Sequence, residues 1–334
     1  MSFFDFEEEI QTELARALES TYFESEQVSL RGYNVLPGSF ITFGFTSSDQ
    51  SLDLVRENLK TGGNLKKRVA RKLLPCLRLL PYKPLKLVYK PEENFPGEVI
   101  RSGRRTKIFD LKNNRVYTIV SSYEEAEKIA ELKNTIIGEG INTPEIIYYD
   151  DKIMVEKYVS VRKFELFSQA PQKGMIEAYR QLFLFYRSQQ IEEIELNDKD
   201  FSDDYLKIKK KAHAELTKSS YKRVCKHGDF HLGNIGFESN NVVLFDWQST
   251  KKGFLLDDLV YFLRQQYRYT GDKTYFEELN TGNYSPELKA VLDLYQKEFG
   301  LTKEEIREYY ILSLISNIEN KPKEIDLELL RHTI

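Results

Sequence analysis

The pattern of apolar and polar positions predicts strands around one helix in the first half of the chain. Apolar runs bounded by turn residues predict strands at 98–100, 106–111, 115–120, 144–149 and 152–159. Asn113-Asn114 fits a hairpin turn between the second and third of these runs. The capping-box sequence that starts at Ser122 predicts a helix through about residue 136. This half therefore has the pattern of a small strand-rich unit.

Helical spacing dominates the second half of the chain. Apolar and aromatic residues recur at helical intervals over 172–190, and an aromatic stripe of this kind predicts core packing. Further helices are predicted at 288–299, after the start signal Ser285-Pro286, and at 304–318. Strands followed by helices indicate an α+β fold.

The residues before the first of these strands form a separate predicted segment. Residues 4–20 have the spacing of an amphipathic helix, 28–45 is β-rich, and 53–59 fits a short helix. Residues 91–96 begin and end with proline and predict a linker. We therefore expect an N-terminal extension over residues 1–95.

Composition and charge restrict the class of protein. The chain has 334 residues, and its 49 Lys and Arg against 52 Asp and Glu give a net charge of −3, so no nucleic-acid partner is expected. Its 2 cysteines form neither a disulfide framework nor a metal cluster. The acidic N-terminus lacks the pattern of a signal peptide, and no uncharged run is long enough to span a bilayer. We expect a cytoplasmic protein.

One segment departs from this balance of charge. Between residues 56 and 90, Lys and Arg are frequent, leucines are interleaved, and Glu57 is the sole acidic residue. The segment fits a solvated basic surface packed on the body of the protein. It equally fits a surface that binds anionic lipid or an anionic substrate, which would place the protein peripherally at a membrane.

The residues with the clearest chemistry follow one another closely. Asp229 and Asn234 lie in the spacing H-x-D-x-x-x-x-N of a kinase catalytic loop, and a buried strand at 242–245 then leads to Asp246. Phosphoryl transfer needs an oriented acceptor hydroxyl, a group that accepts its proton, and Mg²⁺ held against the phosphates of ATP. Asp229 suits the first two tasks, and Asn234 with Asp246 suits the third, because Mg²⁺ prefers oxygen ligands.

These motifs resemble the aminoglycoside phosphotransferase and choline kinase family. The resemblance rests on His227-Gly-Asp-Phe-His-Leu-Gly-Asn234, Phe245-Asp246-Trp247, Gly253 and Asp258-Leu259. It implies a bilobal protein-kinase-like α+β fold, with a small β-rich lobe over 96–160 and a larger helical lobe with an acceptor pocket over 161–334. Candidate pocket residues are Tyr261, Arg264, Gln265, Tyr267 and Tyr269.

The resemblance also assigns roles to individual residues. Gly103 would lie in the phosphate loop, and the segment with Glu156 and Tyr158 would be the hinge at the nucleotide. Asp258 would brace the catalytic loop. His231 would either position Asp229 or contact phosphate.

One expected residue of the family is absent. The strand-three lysine that binds phosphate oxygens falls here on Thr118 or Ile119, and neither carries charge. Lys107 on the preceding strand is the candidate replacement, with an exposed strand lysine as the alternative. Its helix partner would be one of three acidic residues, Glu125, Glu127 or Glu131.

Two functions are consistent with these features. The first is an ATP- and Mg²⁺-dependent phosphotransferase acting on a hydroxyl of a small polar molecule, such as a sugar, an aminoglycoside-like or choline-like compound, or an envelope glycan precursor. The alternative is a catalytically inactive kinase-like protein that binds a nucleotide or acts as a scaffold. The intact Asp229, Asn234 and Asp246 favour the enzyme, and the missing lysine favours the alternative.

Overall fold

The computed structural model of the protein describes residues 34–36, 42–45, 50–51, 53–55, 99–102, 106–195, 211–212, 214–238, 241–320 and 324–333. The chain divides into two compact units, the first with residues 1–137 and 143–163 and the second with residues 138–142 and 164–334. Within the described ranges, no helix is both long enough and apolar enough to cross a membrane. The predicted helix at 4–20 and the basic segment at 56–90 lie outside the described residues.

The first unit contains an antiparallel sheet of seven strands in the order β1-β2-β3-β4-β5-β7-β6. The strands are β1 (Asn34–Leu36), β2 (Thr42–Phe45), β3 (Val99–Ser102), β4 (Lys107–Asp110), β5 (Arg115–Ile119), β6 (Ile146–Tyr149) and β7 (Ile153–Lys157). The turn between β4 and β5 forms as predicted, because Asp110 Oδ1 accepts from the Asn113 amide at 2.9 Å and Asn114 adopts a φ of 54°. Strands β1 and β2 lie within the predicted N-terminal extension, and β2 pairs with β3 in the same sheet.

Helix α1 (Tyr123–Gly138) packs on one face of this sheet. Its Ala126 and Ile129 form a buried cluster with Val120 and with Met154 of β7. At the start of the helix, the Glu125 amide donates to Ser122 Oγ at 3.3 Å, and the Glu125 carboxylate accepts from the amide of Ser121 at 2.8 Å, one residue earlier than in the predicted capping box.

The second unit combines short strands with helices. Its strands are β8 (Glu192–Glu195), β9 (Ser220–Lys226), β10 (Ile235–Glu238), β11 (Asn241–Leu244) and β12 (Lys251–Phe254). Its helices are α2 (Gln172–Ser188), α3 (Asp257–Thr270), α4 (Thr274–Thr281), α5 (Pro286–Phe299), α6 (Lys303–Asn320) and α7 (Glu324–Thr333). Strand β9 is the middle strand of the sheet β12-β9-β8, and β10 pairs with β11. The predicted α+β class is confirmed.

The aromatic stripe of α2 forms the centre of the core of the second unit. Tyr179, Phe183 and Tyr186 are fully buried, and the rings of Phe183 and Tyr295 on α5 pack with centroids 4.6 Å apart. Buried aromatic pairs of this kind add to the free energy gained from area burial alone. The prediction that this stripe serves packing is confirmed.

Candidate active site

The loop that follows β9 carries the H-x-D-x-x-x-x-N motif and is held by two local features. Gly228 has a φ of 79°, and a Cβ atom there would lie 2.1 Å from the carbonyl oxygen of Ser249, so the position requires glycine. Phe230 is fully buried and packs against Tyr179, with ring centroids 5.0 Å apart. The side chain of Asp229, between these anchors, remains 30% exposed. The loop therefore presents one carboxylate from a rigid backbone.

Asp258 holds the beginning of this loop. It is fully buried near the start of α3, and its carboxylate accepts hydrogen bonds from the amides of His227 at 2.8 Å and Gly228 at 2.9 Å. The hydroxyl of Tyr186 donates to the same carboxylate at 2.9 Å. A buried carboxylate is stable only with such donors. The prediction that Asp258 braces the catalytic loop is confirmed.

His227 is a structural part of the loop. Its Nε2 lies 2.9 Å from the carbonyl oxygen of Phe245, and its Nδ1 accepts from the amide of Asp229 at 3.3 Å. A carbonyl can only accept, so Nε2 carries the proton of a neutral ring. The ring is fully buried and packs on Trp247 at 4.4 Å between centroids. His227 therefore orients the Asp229 backbone.

The carboxylate of Asp229 is held at both oxygens. Asn234 Nδ2 donates to Oδ2 at 3.0 Å and to the Asp229 carbonyl oxygen at 2.9 Å. The hydroxyl of Tyr261, on α3, donates to Oδ1 at 2.5 Å. Burial and the charge of Asp229 raise the pKa of Tyr261, so this hydroxyl is the donor near neutral pH. The site thus fixes the carboxylate while leaving it partly open to solvent.

Asn234 and Asp246 lie at neighbouring positions of the β10–β11 hairpin. Ile235 pairs with Leu244, and the amide of Phe245 donates to the Asn234 carbonyl oxygen at 2.9 Å. Asp246 follows directly with a φ of 63°, a left-handed conformation that is rare outside glycine and asparagine and that often marks functional positions. The pairing therefore brings together the two predicted metal ligands.

The donor set at this hairpin fits magnesium. Asn234 directs its Nδ2 at Asp229, which leaves Oδ1 as its ligand atom, and Asp246 adds carboxylate oxygens. Mg²⁺ typically takes one or two carboxylates and completes its shell with water and phosphate oxygens. In the part of the chain that the structure describes, no group of three or more His, Cys, Asp or Glu side chains forms a separate metal site.

His231 adjoins the base without a full hydrogen bond to it. Its Nδ1 accepts from the amide of Gly233 at 2.9 Å and caps the short helix Leu232–Asn234. Its Nε2 lies 3.6 Å from Asp229 Oδ1, which is longer than a hydrogen bond. Both predicted roles of His231, positioning Asp229 or contacting phosphate, stay predictions.

The first unit shows which face of the sheet Lys107 occupies. Lys107 pairs directly with Thr118, which in turn pairs with Met154, so all three side chains lie on the face that α1 covers. Ile119 is the next residue of β5 and points to the opposite face. Of the two positions predicted for the missing lysine, Thr118 therefore lies on the same face of the sheet as Lys107, and Ile119 lies on the opposite face. The Thr118 hydroxyl is buried and has no hydrogen-bond partner among the described residues.

The acidic residues proposed to pair with Lys107 differ in their surroundings. Glu125 accepts from the amide and hydroxyl of Ser121, and Glu131 is exposed on α1. Glu127 is half-buried on the same helix. Which of the three acidic residues pairs with Lys107 stays a prediction.

A buried ion pair in the first unit reverses the arrangement that the resemblance predicts, in which a strand lysine pairs with a helix glutamate. Lys133 on α1 forms an ion pair with Glu156 on β7, and these side chains are 6% and 8% exposed. Lys133 Nζ also donates to the carbonyl oxygen of Pro144 at 3.2 Å. Here the helix supplies the cation and a strand supplies the carboxylate. The Glu156 side chain is thus directed at α1, and the predicted contact of this segment's backbone with the nucleotide stays a prediction.

The other predicted nucleotide residues have less definite roles. The Tyr158 amide donates to the Asn114 carbonyl oxygen at 2.8 Å, so this backbone donor already has a partner within the sheet. Its ring contacts Phe109 edge-on, with centroids 6.3 Å apart. Gly103 lies outside the described residues. The assignment of these residues to a nucleotide stays a prediction.

Two contacts were missed from the sequence. Tyr261 was considered only as a pocket residue, although its position three residues after Asp258 on a helix signals a shared face. The Lys133–Glu156 pair spans two elements, and no sequence spacing indicates it.

Comparison with known proteins agrees with the site. Residues 163–295 match the sequence model of the phosphotransferase enzyme family, and this range contains the catalytic loop, Asp246 and α3. The predicted resemblance to the aminoglycoside phosphotransferase family is therefore confirmed. No curated protein matches the chain in sequence.

Several solved structures are similar to this chain at low sequence identity. Amicoumacin kinase hAmiN in complex with AMP-PNP, Ca²⁺ and Ami is 14% identical, with 69% of this chain and 83% of that chain covered and a TM-score of 0.42. Aminoglycoside phosphotransferase APH(3'')-Id from Streptomyces rimosus is 12% identical, with 62% and 88% covered and a TM-score of 0.36. A thermostable mutant of aminoglycoside phosphotransferase APH(4)-Ia is 10% identical, with 74% and 89% covered and a TM-score of 0.41.

Proposed function

Because the segment that matches the phosphotransferase enzyme family carries the catalytic loop, we propose that this protein transfers the γ-phosphoryl group of ATP to a hydroxyl of a small polar molecule. The observation that carries the proposal is the double hydrogen bond from Asn234 to the carbonyl oxygen and the carboxylate of Asp229. It links a base to a metal ligand in the arrangement that kinase chemistry needs.

Each residue of the site has a task in this reaction. The partly exposed carboxylate of Asp229 orients the acceptor hydroxyl and accepts its proton. Asp258 and His227 hold the loop so that this oxygen keeps its position, and fixed geometry lowers the barrier by removing the entropy of alignment. Asn234 Oδ1 and Asp246 would bind Mg²⁺, which neutralises charge on the phosphate oxygens.

The rival function is a nucleotide-binding protein without catalysis. Its support is the absence of charge at Thr118 and Ile119, the two positions where the resemblance predicts a lysine, together with the Lys133–Glu156 pair, in which the helix and not the strand supplies the cation. Asp229, Asn234 and Asp258 weigh against it, because a binding protein does not need a buried network that orients an exposed carboxylate.

An acceptor screen separates the two functions. Sugars, aminoglycosides, choline and lipid-linked saccharides would be tested for acceptor-dependent release of ADP from Mg²⁺-ATP, with Asp229→Asn as the matched control. We expect at least one acceptor class to raise ADP release in the parent and not in the variant. Binding of Mg²⁺-ATP without acceptor-dependent release for any class would favour the rival.

The membrane role of residues 56–90 is a separate proposal. It rests on the charge of the sequence alone, and co-sedimentation with anionic liposomes tests it. Equal recovery of the protein with neutral and anionic liposomes would exclude it.

A further inference from the structure

The Tyr261 hydroxyl donates a hydrogen bond to the oxygen of Asp229 that the reaction would use. Asn234 holds Oδ2, so Oδ1 is the oxygen available to an acceptor, and Tyr261 donates to Oδ1 at 2.5 Å. His231 Nε2 lies 3.6 Å from the same atom. The Tyr261 hydroxyl therefore lies where the hydroxyl of an acceptor would lie.

The helix that carries Tyr261 also holds the loop. Asp258 and Tyr261 are one turn apart on the same face of α3. Asp258 binds the backbone of the loop, and Tyr261 binds the side chain of Asp229. The Tyr261 ring is half-buried, with the guanidinium of Arg264 5.7 Å from its centroid and the His231 ring at 6.4 Å. The contact is thus a built feature of the site.

We propose that Tyr261 determines the specificity of the reaction for the acceptor over water. Its hydroxyl donates to Oδ1 of Asp229 until an acceptor hydroxyl replaces it, so that Asp229 does not activate water. This inference rests on the proposed phosphotransferase function.

The blocked side reaction follows the same steps as transfer to the acceptor. The attacking oxygen forms a bond to the γ-phosphorus, its proton moves to Asp229 Oδ1, and the bond from the γ-phosphorus to the bridging oxygen breaks to release ADP. With an acceptor the product is a phosphate ester, and with water it is inorganic phosphate. A small water molecule cannot displace the Tyr261 hydroxyl as well as an acceptor that binds through further contacts.

The same geometry also fits a different function for Tyr261. A hydroxyl within hydrogen-bond distance of a base is the arrangement of a nucleophile, so Tyr261 could itself receive the phosphoryl group. The specificity role is favoured because burial and the charge of Asp229 raise the pKa of Tyr261, which makes its oxygen a poorer nucleophile near neutral pH. The experiment must separate the two.

The test compares five proteins in Mg²⁺-ATP without any acceptor: the parent, Tyr261→Phe, Tyr261→Leu, the double variant Tyr261→Phe with Asp229→Asn, and Tyr284→Phe. Tyr284 is a matched control, since its hydroxyl neighbours Glu304 rather than Asp229. Release of ADP and phosphate and the intact mass of each protein are measured. Tyr261→Leu provides a second variant without the hydroxyl, and thermal unfolding verifies the fold of each.

We expect Tyr261→Phe to raise acceptor-independent release of ADP and phosphate about tenfold, the factor typical of one lost hydrogen bond to a charged group. The double variant should lose this increase, and Tyr284→Phe should match the parent. Unchanged or lower release in folded Tyr261→Phe and Tyr261→Leu overturns the proposal. So does a parent protein that gains one phosphoryl group on Tyr261. The proposed function is judged separately, by transfer to an acceptor.

Discussion

The catalytic-loop region, residues 226–246 together with α3, differs from the sheet of the first unit in how its charged groups are used. In the catalytic-loop region, the charge of Asp229 is partly exposed and held by neutral donors, Asn234 and Tyr261. In the first unit, Lys133 and Glu156 neutralise each other out of solvent. The first arrangement leaves a charged group accessible, whereas the second joins a helix to a sheet through a pair of buried charges.

The comparison extends to the strand lysine that the family resemblance predicts. Thr118, one of the two residues predicted at its position, is uncharged, and Lys107 pairs with it on the same face of the sheet. Variants in the two regions should therefore fail in different ways: loss of rate in the catalytic-loop region, and loss of stability or of ATP affinity in the sheet.

The largest effect is expected at the base. Asp229→Asn keeps the shape of the side chain but removes the group that accepts a proton, so kcat should fall by about 10²–10⁴-fold. Calorimetry should show nearly unchanged affinity for Mg²⁺-ATP. Turnover close to that of the parent, in protein free of contaminating kinases, would remove Asp229 from this role.

The next effect concerns the buried ion pair. Lys133→Met leaves the Glu156 carboxylate buried without its cation, which should lower the free energy of unfolding by about 3–5 kcal/mol. The double variant Lys133→Met with Glu156→Leu should recover most of this loss, because an apolar pair replaces the ion pair. Denaturant unfolding measures both. A single variant as stable as the parent would contradict the structural role of the pair.

The metal ligands should give a smaller effect, visible as a changed requirement for magnesium. Asp246→Ala removes a carboxylate from the cation, so affinity for Mg²⁺ in the presence of ATP should fall about 10–100-fold. The loss should be no smaller than that of Asn234→Ala. A Mg²⁺ titration that coincides with the parent's would show that Asp246 is not a ligand.

The smallest effect is expected at Lys107. If its ammonium binds phosphate oxygens, Lys107→Met should raise KM for ATP about tenfold without loss of stability. Lys107→Met with Thr118→Lys should regain part of this, since the new lysine lies on the same face. Ile119→Lys is the matched control on the opposite face and should restore nothing. An unchanged KM in Lys107→Met would identify Lys107 as a surface residue.

The sequence predicted the site best where function depends on contiguous residues. One loop and one hairpin contain Asp229, Asn234 and Asp246. Their spacing in the sequence was therefore enough to predict that they lie close together. The bracing role of Asp258 was predicted from the family resemblance, and it depends on the position of Asp258 at the start of α3. Elements such as α1, β4, β5 and β7 were likewise predictable, because their apolar periodicity is local.

Contacts between elements could not be predicted. Strand register decided that Thr118, and not Ile119, shares a face with Lys107. The docking of α1 on the sheet paired Lys133 with Glu156, residues 23 positions apart. Helical spacing placed Tyr261 beside Asp258, but only the fold of the loop gave it Asp229 as a partner.

Transfer of the phosphoryl group is the central claim, and the mass of the acceptor measures it most directly. Parent protein would be incubated with Mg²⁺-ATP and each acceptor class, followed by mass spectrometry of the small molecules, with Asp229→Asn beside it. We expect one acceptor class to gain a single phosphoryl group with the parent and not with the variant. Equal gain with both proteins, or bound Mg²⁺-ATP with no gain for any acceptor, would contradict the claim.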